Sequence, residues 1–181
     1  MSDSRSGYRQ SVSGLVGAIV MSLLLVAAIG LLSRLQHHDP ADPTPTVSFS
    51  APLAQARAGA PFKVLAPDPV PPGWRATSAR WEGSGPAVSW HLGLLTAKGS
   101  DAQYVGLDQS NDVPQEFIAA TTTADQPGPR VTIGGQVWRT WTSADGHETA
   151  LVQERPKVTT IVSGTASKAV LEGYVASLST G

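Results

Sequence analysis

Hydrophobic and polar positions fall into three regimes along the 181-residue chain. Val12–Leu32 is an unbroken apolar run, 35–61 carries no regular pattern, and from Phe62 apolar and polar residues largely alternate. The first run has 21 residues without a charge; as a helix it is about 31 Å long, the thickness of a hydrocarbon core of about 30 Å. Its glycines and serines are compatible with lipid, because a helix satisfies its own backbone there. Arg5 and Arg9 precede it, and Arg34, His37, His38 and Asp39 follow. The reading is a transmembrane helix over 12–34, through which the chain meets the lipid bilayer, with residues 1–11 as a cytoplasmic tail and the rest outside, since basic flanks are retained in the cytoplasm. A cleaved signal peptide is the competing reading, but its apolar stretch is about 7–15 residues, and Leu31 and Leu32 directly follow the small pair Ala28 and Gly30. An uncleaved signal anchor fits better. Ser13 with Gly17 and Gly14 with Ala18 have small-xxx-small spacing, a pattern frequent by chance in Ala/Gly-rich helices.

Residues 35–61 change composition abruptly, with Pro40, Pro43, Pro45, Pro52 and Pro61 among Ala, Thr, Ser and Asp. Too little apolar surface is available to offset ordering entropy, so this stretch is expected to be a flexible tether. His37, His38, Asp39 and Asp42 lie in it with nothing to fix their geometry, so they read as solvated polar residues and not as a metal site.

Residues 62–181 form the expected globular domain. Val88, Trp90, Leu92 and Leu94 alternate with polar or small residues over Ala87–Thr96, the period of a half-buried strand. Further strands are expected at Phe62–Leu65, Arg75–Glu82, Tyr104–Gln109, Gln136–Ser143, Glu148–Arg155 and Lys157–Ser163. Lys98-Gly99-Ser100-Asp101 and Ala144-Asp145-Gly146 supply hairpin turns. Asp112-Val113-Pro114-Gln115 resembles a helix start reaching to about Thr121. Ser167–Leu178 sets Leu171, Tyr174, Val175 and Leu178 on one helical stripe. This order predicts an α+β domain: a mainly antiparallel sheet with two helices on one face.

Composition narrows the chemistry. The 13 Lys+Arg balance 14 Asp+Glu, so there is no basic footprint for nucleic acid. Without cysteine there is no disulfide, thiol nucleophile or Cys-ligated metal. No Walker loop, dinucleotide fingerprint, HExxH or EF-hand loop is present, and no cofactor or metal is expected. Of the five tryptophans, Trp90 shares the apolar face of its strand. Trp138 and Trp141, three apart, must point to opposite faces of a strand. One of them is therefore covered by a helix or exposed, and beside Arg139 an exposed indole suits a peptide, glycan or apolar ligand. Trp138, Trp141, Arg139 and His91 are accordingly the candidate ligand- or partner-binding residues. Ser143, Asp145 and His147 compose a triad only on paper, because triads are defined by geometry. A hydrolase needs a cleft uniting Asp108, Glu116, His91 or His147.

Pro72-Gly73-Trp74-Arg75, Trp90-His91-Leu92-Gly93, Tyr104-Val105-Gly106-Leu107-Asp108-Gln109-Ser110, Gly135 with Trp138, and Gly164-Thr165-Ala166 together resemble actinobacterial membrane proteins of domain of unknown function 4245. The resemblance spans nearly the whole chain. It implies a single-pass envelope protein and brings no activity, cofactor or catalytic residue. The leading expectation is thus a non-enzymatic binding or interaction module held at the cell membrane, its partner an unidentified envelope protein or ligand. A cell-wall-directed hydrolase or transferase, or a structural subunit of a membrane complex, is the alternative.

Overall fold

Period-two alternation governs the architecture seen in the computed structural model, which describes residues 44–97 and 101–180. Helix α1 (Ser50–Gly59) and strands β1 (Ala66–Pro67), β2 (Arg75–Glu82), β3 (Ser89–Leu95) and β4 (Tyr104–Ser110) come first. Helix α2 (Pro114–Thr121), strands β5 (Gln126–Ile133), β6 (Gln136–Thr142), β7 (Thr149–Arg155) and β8 (Val158–Gly164), helix α3 (Lys168–Ser177) and β9 (Leu178–Ser179) follow. Seven strands form one sheet in the order β2-β3-β4-β8-β7-β6-β5, and β1 pairs with β9 in a second, small one. All pairings are antiparallel. Two meanders, β2-β3-β4 and β5-β6-β7-β8, therefore join along a β4–β8 seam, and α2 carries the chain from the seam to the far edge.

Because side chains alternate, the register assigns each residue to a face. Trp90, Leu92 and Leu94 lie opposite Gln109, Leu107 and Val105, and Leu107 continues through Val162 to Leu151. This face is buried against Ala56 of α1 and Leu171, Tyr174 and Val175 of α3. The opposite face carries Ala150, Val152 and Ile161, which pack with Ile118 of α2, Ala124 and Trp141. The α+β class and the antiparallel sheet are as expected. The helices depart from expectation: among the described residues there are three, and they cover both faces, α1 and α3 on one and α2 on the other. A crossover from the central seam to an edge must run over one face, and the alternation of β7 and β8 provides apolar residues on both.

Residues 1–11, 12–34 and 35–43, including the expected membrane helix, lie outside the described residues, as does the turn at 98–100. Among the described residues no helix is long and apolar enough to cross a membrane. From Thr44 onward the tether expectation is corrected, because the compact C-terminal unit runs Asp42–Gly181. The Val47 amide bonds the Ala76 carbonyl, the Arg75 guanidinium bonds the Thr44 carbonyl, and Ala56 is fully buried. Pro52 sits in the first turn of α1, where its missing N–H has no intrahelical partner to lose. Phe62–Leu65 is not a sheet strand; side chains hold it, with Gln109 Oε1 accepting from the Leu65 amide at 2.7 Å and Trp90 Nε1 donating to the Leu65 carbonyl at 3.1 Å.

Strand β5, absent from the sequence reading, contains Pro127 and Pro129, which argue against a central strand. It is an edge strand, and a bulge between Pro127 and Arg130 absorbs the missing donors. Gly134 and Gly135, at φ +57° and +75°, form the tight turn to β6, since both central positions need the left-handed region. Helix α2 starts at Pro114, with Val113 and not Asp112 at the cap. Ser167 caps α3, its hydroxyl accepting from the Val170 amide.

Leu107 is fully buried at the seam, whereas Val137 is 55% exposed. Leu107→Ala is expected to destabilise the fold by about 2–5 kcal/mol, and Val137→Ala by no more than about 0.5 kcal/mol. Urea unfolding followed by tryptophan fluorescence checks this; equal effects would contradict the face assignment.

Candidate functional site

The α3 face ends in a cavity of about 330 Å³ between the sheet, the C-terminal end of α3 and the segment around Lys63. Leu65, Ile133, Val158, Val175 and Leu178 give it apolar walls. Its polar groups converge from separate elements: Lys63, Gln109, Gln136, Trp138, Gln153 and Arg155. Gln109 is spent on structure, donating through Nε2 to the Lys63 carbonyl and to Thr160 Oγ1. Arg155 donates to Gln136 Oε1 at 2.9 Å. The Trp138 Nε1–H, on a side chain 3% exposed, has no partner. Among the described lining residues there are two cations and no carboxylate. A mostly apolar hollow with a few convergent donors is the usual form of a small-ligand site.

Trp138 and Trp141 do point to opposite faces. Trp138 packs into the α3-side core, while Trp141 lies against the α2-side cluster. Neither is exposed: of the two outcomes the strand parity left open, a covering helix or exposure, α2 covers the indole that leaves the main core. Arg139 shares the Trp141 face and stands 6.0 Å over its ring, in reach of a cation–π contact. Together with Ile118 and Glu154 they border a separate hollow of about 510 Å³ beside α2.

His91 lies on the α2 face in a third hollow, of about 370 Å³. Register places Arg80, His91 and Asp108 side by side on β2, β3 and β4. His91 Nδ1 is 2.7 Å from Asp108 Oδ1, and His91 Nε2 is 2.8 Å from Ser78 Oγ. An ionised carboxylate only accepts, so Nδ1 carries the proton; in the neutral ring Nε2 then accepts from the Ser78 hydroxyl. A bulge in β2 between Ala76 and Ser78 brings Ser78 to this face. Ala76 pairs with Leu94 of the α3 face; without the inserted residue Ser78 would follow it there.

Glycines make room for this group. A Cβ at Gly93 would strike Ser78 Oγ, and the Tyr104 hydroxyl lies 3.1 Å from the Cβ positions of both Gly93 and Gly106. Burial first, then the charges of Asp108 and Glu148, push the Tyr104 phenol up to about 12, so it stays protonated at neutral pH. Burial also acts to raise the Glu148 carboxyl. Hydrogen bonds outweigh it: the Thr123 hydroxyl and amide, the Thr122 hydroxyl at 2.7 Å and the Ser163 hydroxyl hold it below its ordinary 4.5.

The four candidate residues are thus divided among three hollows: Trp138 in one, Arg139 with Trp141 in a second, and His91 in a third. Of the residues named for a hydrolase, the structure unites His91 and Asp108. Glu116 and His147 are exposed, and neither lines the His91 hollow. Ser143, Asp145 and His147 form a turn and not a triad. Ser143 Oγ donates to Asp145 Oδ1 at 2.6 Å, which also accepts the His147 amide, and the Ser143 hydroxyl foremost holds the Asp145 carboxyl below its usual range. Among the described residues no three His, Asp or Glu side chains converge as metal ligands. Sequence reasoning missed Ser78, because a bulge leaves no local mark, and the Lys63, Gln153 and Arg155 lining, because topology alone assembles it.

The family model described as protein of unknown function (DUF4245) matches residues 8–178, and the chain belongs to that family. No curated protein and no solved structure matches the chain.

A carboxyl depressed in the folded state stabilises above its unfolded value and loses that contribution as pH falls through the folded one. Glu148→Gln is therefore expected to lower the melting temperature at neutral pH, the difference from wild type shrinking as pH drops below 4.5. Thermal unfolding across that range measures it; a gap that widens toward acid would contradict the assigned hydrogen bonds.

Proposed function

We propose that this chain is a membrane-tethered, extracytoplasmic binding module of the cell envelope, whose C-terminal unit takes a small anionic ligand with an apolar body into the cavity beside Trp138. One observation carries the ligand assignment: the cavity combines Lys63 and Arg155 with apolar walls and no carboxylate among its described lining residues, and Trp138 in its wall has a buried, unpartnered Nε1–H. A buried donor without a partner costs about 1–3 kcal/mol, a cost removed if the ring shifts on binding so that a ligand carboxylate or carbonyl accepts from the indole. The two cations favour the anionic form, and Ile133, Val175 and Leu178 favour an attached hydrocarbon. Support for the tether is the uncharged stretch Val12–Leu32, and for its direction Arg5 and Arg9 on the N-terminal side.

The hydrolase alternative has a footing of its own, because Ser78, His91 and Asp108 form a bonded chain on the other face.

Titrating the full chain in lipid nanodiscs with hexanoate should move the Trp138 indole N–H resonance, identified by its loss in Trp138→Phe. Hexylamine should leave it in place. Lys63→Gln with Arg155→Gln should weaken hexanoate about tenfold, or about 1.4 kcal/mol. An unmoved resonance, or equal response to the amine, would sink the ligand reading. For the anchor, the expected result is full-length protein in the carbonate-resistant membrane fraction, with its C-terminal unit open to protease added outside intact cells. Intact chain in the soluble cytosol would overturn it.

A further inference from the structure

We propose that Ser78 is the nucleophile, and His91 the general base, of a second site on the α2 face that hydrolyses small carboxylic esters, with Asp108 as the positioning residue. The first support is connectivity. Oγ to Nε2 at 2.8 Å and Nδ1 to the carboxylate at 2.7 Å are hydrogen-bond distances along a serine–histidine–aspartate chain. The second is construction. The three side chains come from adjacent strands of a rigid ladder, and the β2 bulge turns the serine toward the histidine. Bulges beside active sites re-aim side chains in this way. The third is access. β2 is an edge of the sheet, α2 packs over β8 on that face, and the imidazole remains 23% exposed against 15% for the carboxylate.

The chemistry balances without a further reagent. The Ser78 oxygen forms a bond to the ester carbonyl carbon while its proton passes to His91 Nε2, and the carbonyl π electrons move onto oxygen. The Tyr104 hydroxyl, which approaches the same glycine as Ser78 Oγ, is a neutral donor for that oxyanion. Collapse breaks the bond to the leaving alcohol, which takes the proton from Nε2 and leaves acyl-Ser78. Water then attacks the acyl carbon as Nε2 takes its proton. That proton returns to Ser78 as the acid departs. Asp108 holds the ring in the tautomer that leaves Nε2 free to accept and stabilises the imidazolium formed in each step. Glu82 and Glu148 border the hollow with Asp108, so neutral or cationic esters suit it better than anionic ones.

The test treats the full chain in nanodiscs with a fluorophosphonate probe and, separately, with p-nitrophenyl acetate. Expected are a covalent adduct on Ser78 by mass spectrometry, its loss in Ser78→Ala, and hydrolysis slowed on the order of 10²-fold or more in His91→Ala. Asp108→Asn should slow hydrolysis and also remove the downfield resonance of the His91 Nδ1–H, a signal that a merely structural aspartate would not govern. Thermal melts confirm that the variants fold. A folded wild type that takes no adduct at Ser78, or acetate release unchanged by Ser78→Ala, would overturn the proposal and leave the Trp138 cavity untouched.

Discussion

One constraint underlies the folded unit: neighbouring residues of a strand face opposite sides, and seven antiparallel strands carry that alternation across the sheet, broken by one bulge in β2 and one in β5. The β4–β8 seam is where it has most consequence. Leu107 and Val162 send one set of side chains toward α3, while Asp108 and Ile161, one position on, send the other set toward α2. Both faces are covered in part, yet only the α3 face is apolar across nearly its full width. The α2 face is apolar under the helix and polar toward β2, and that polar end is where Ser78, His91 and Asp108 meet.

Much of this was legible in the residues. The alternation of β3, with Trp90, Leu92 and Leu94 on one side and His91 on the other, translates directly into a buried face and a polar one. Parity alone separates Trp138 from Trp141. The stripe of Leu171, Tyr174 and Val175 identifies the helix that closes the main core. Less legible were elements whose stability comes from position. Pro127 and Pro129 count against a strand unless the strand is known to be an edge, and edge status follows from topology. Helix α1 has little stripe of its own beyond Ala56, so its place is set by β2 and not by its composition.

Sites were less legible than elements for the same reason. His91 and Asp108 are 17 residues apart, and only the β3–β4 register makes them neighbours. Ser78 lies on the correct face because of a single inserted residue, a one-position change that inverts the side a serine presents. The Trp138 cavity draws from β4, β6, β7, α3 and the segment near Lys63, so no window of sequence contains it.

Satisfied and unmet polar groups occur on both faces, so the setting of each group, and not its presence, distinguishes the two hollows. On the α2 face the imidazole has a partner at each nitrogen, and Glu148 is bonded by threonine hydroxyls and an amide. These groups are pre-organised and can act on a substrate without first rearranging. On the α3 face Trp138 Nε1 and Thr140 Oγ1 are buried without partners, although Gln109 close by is fully engaged; on the α2 face Trp141 Nε1 and Thr159 Oγ1 are likewise unmet. A core selected for stability alone would exchange such an indole for an apolar ring of similar size, since an unmet buried donor is a net cost. Of the two unmet indoles, Trp138 is the one beside a hollow that has Lys63 and Arg155 and no carboxylate among its described lining residues; Trp141 borders a hollow that includes Asp125 and Glu154.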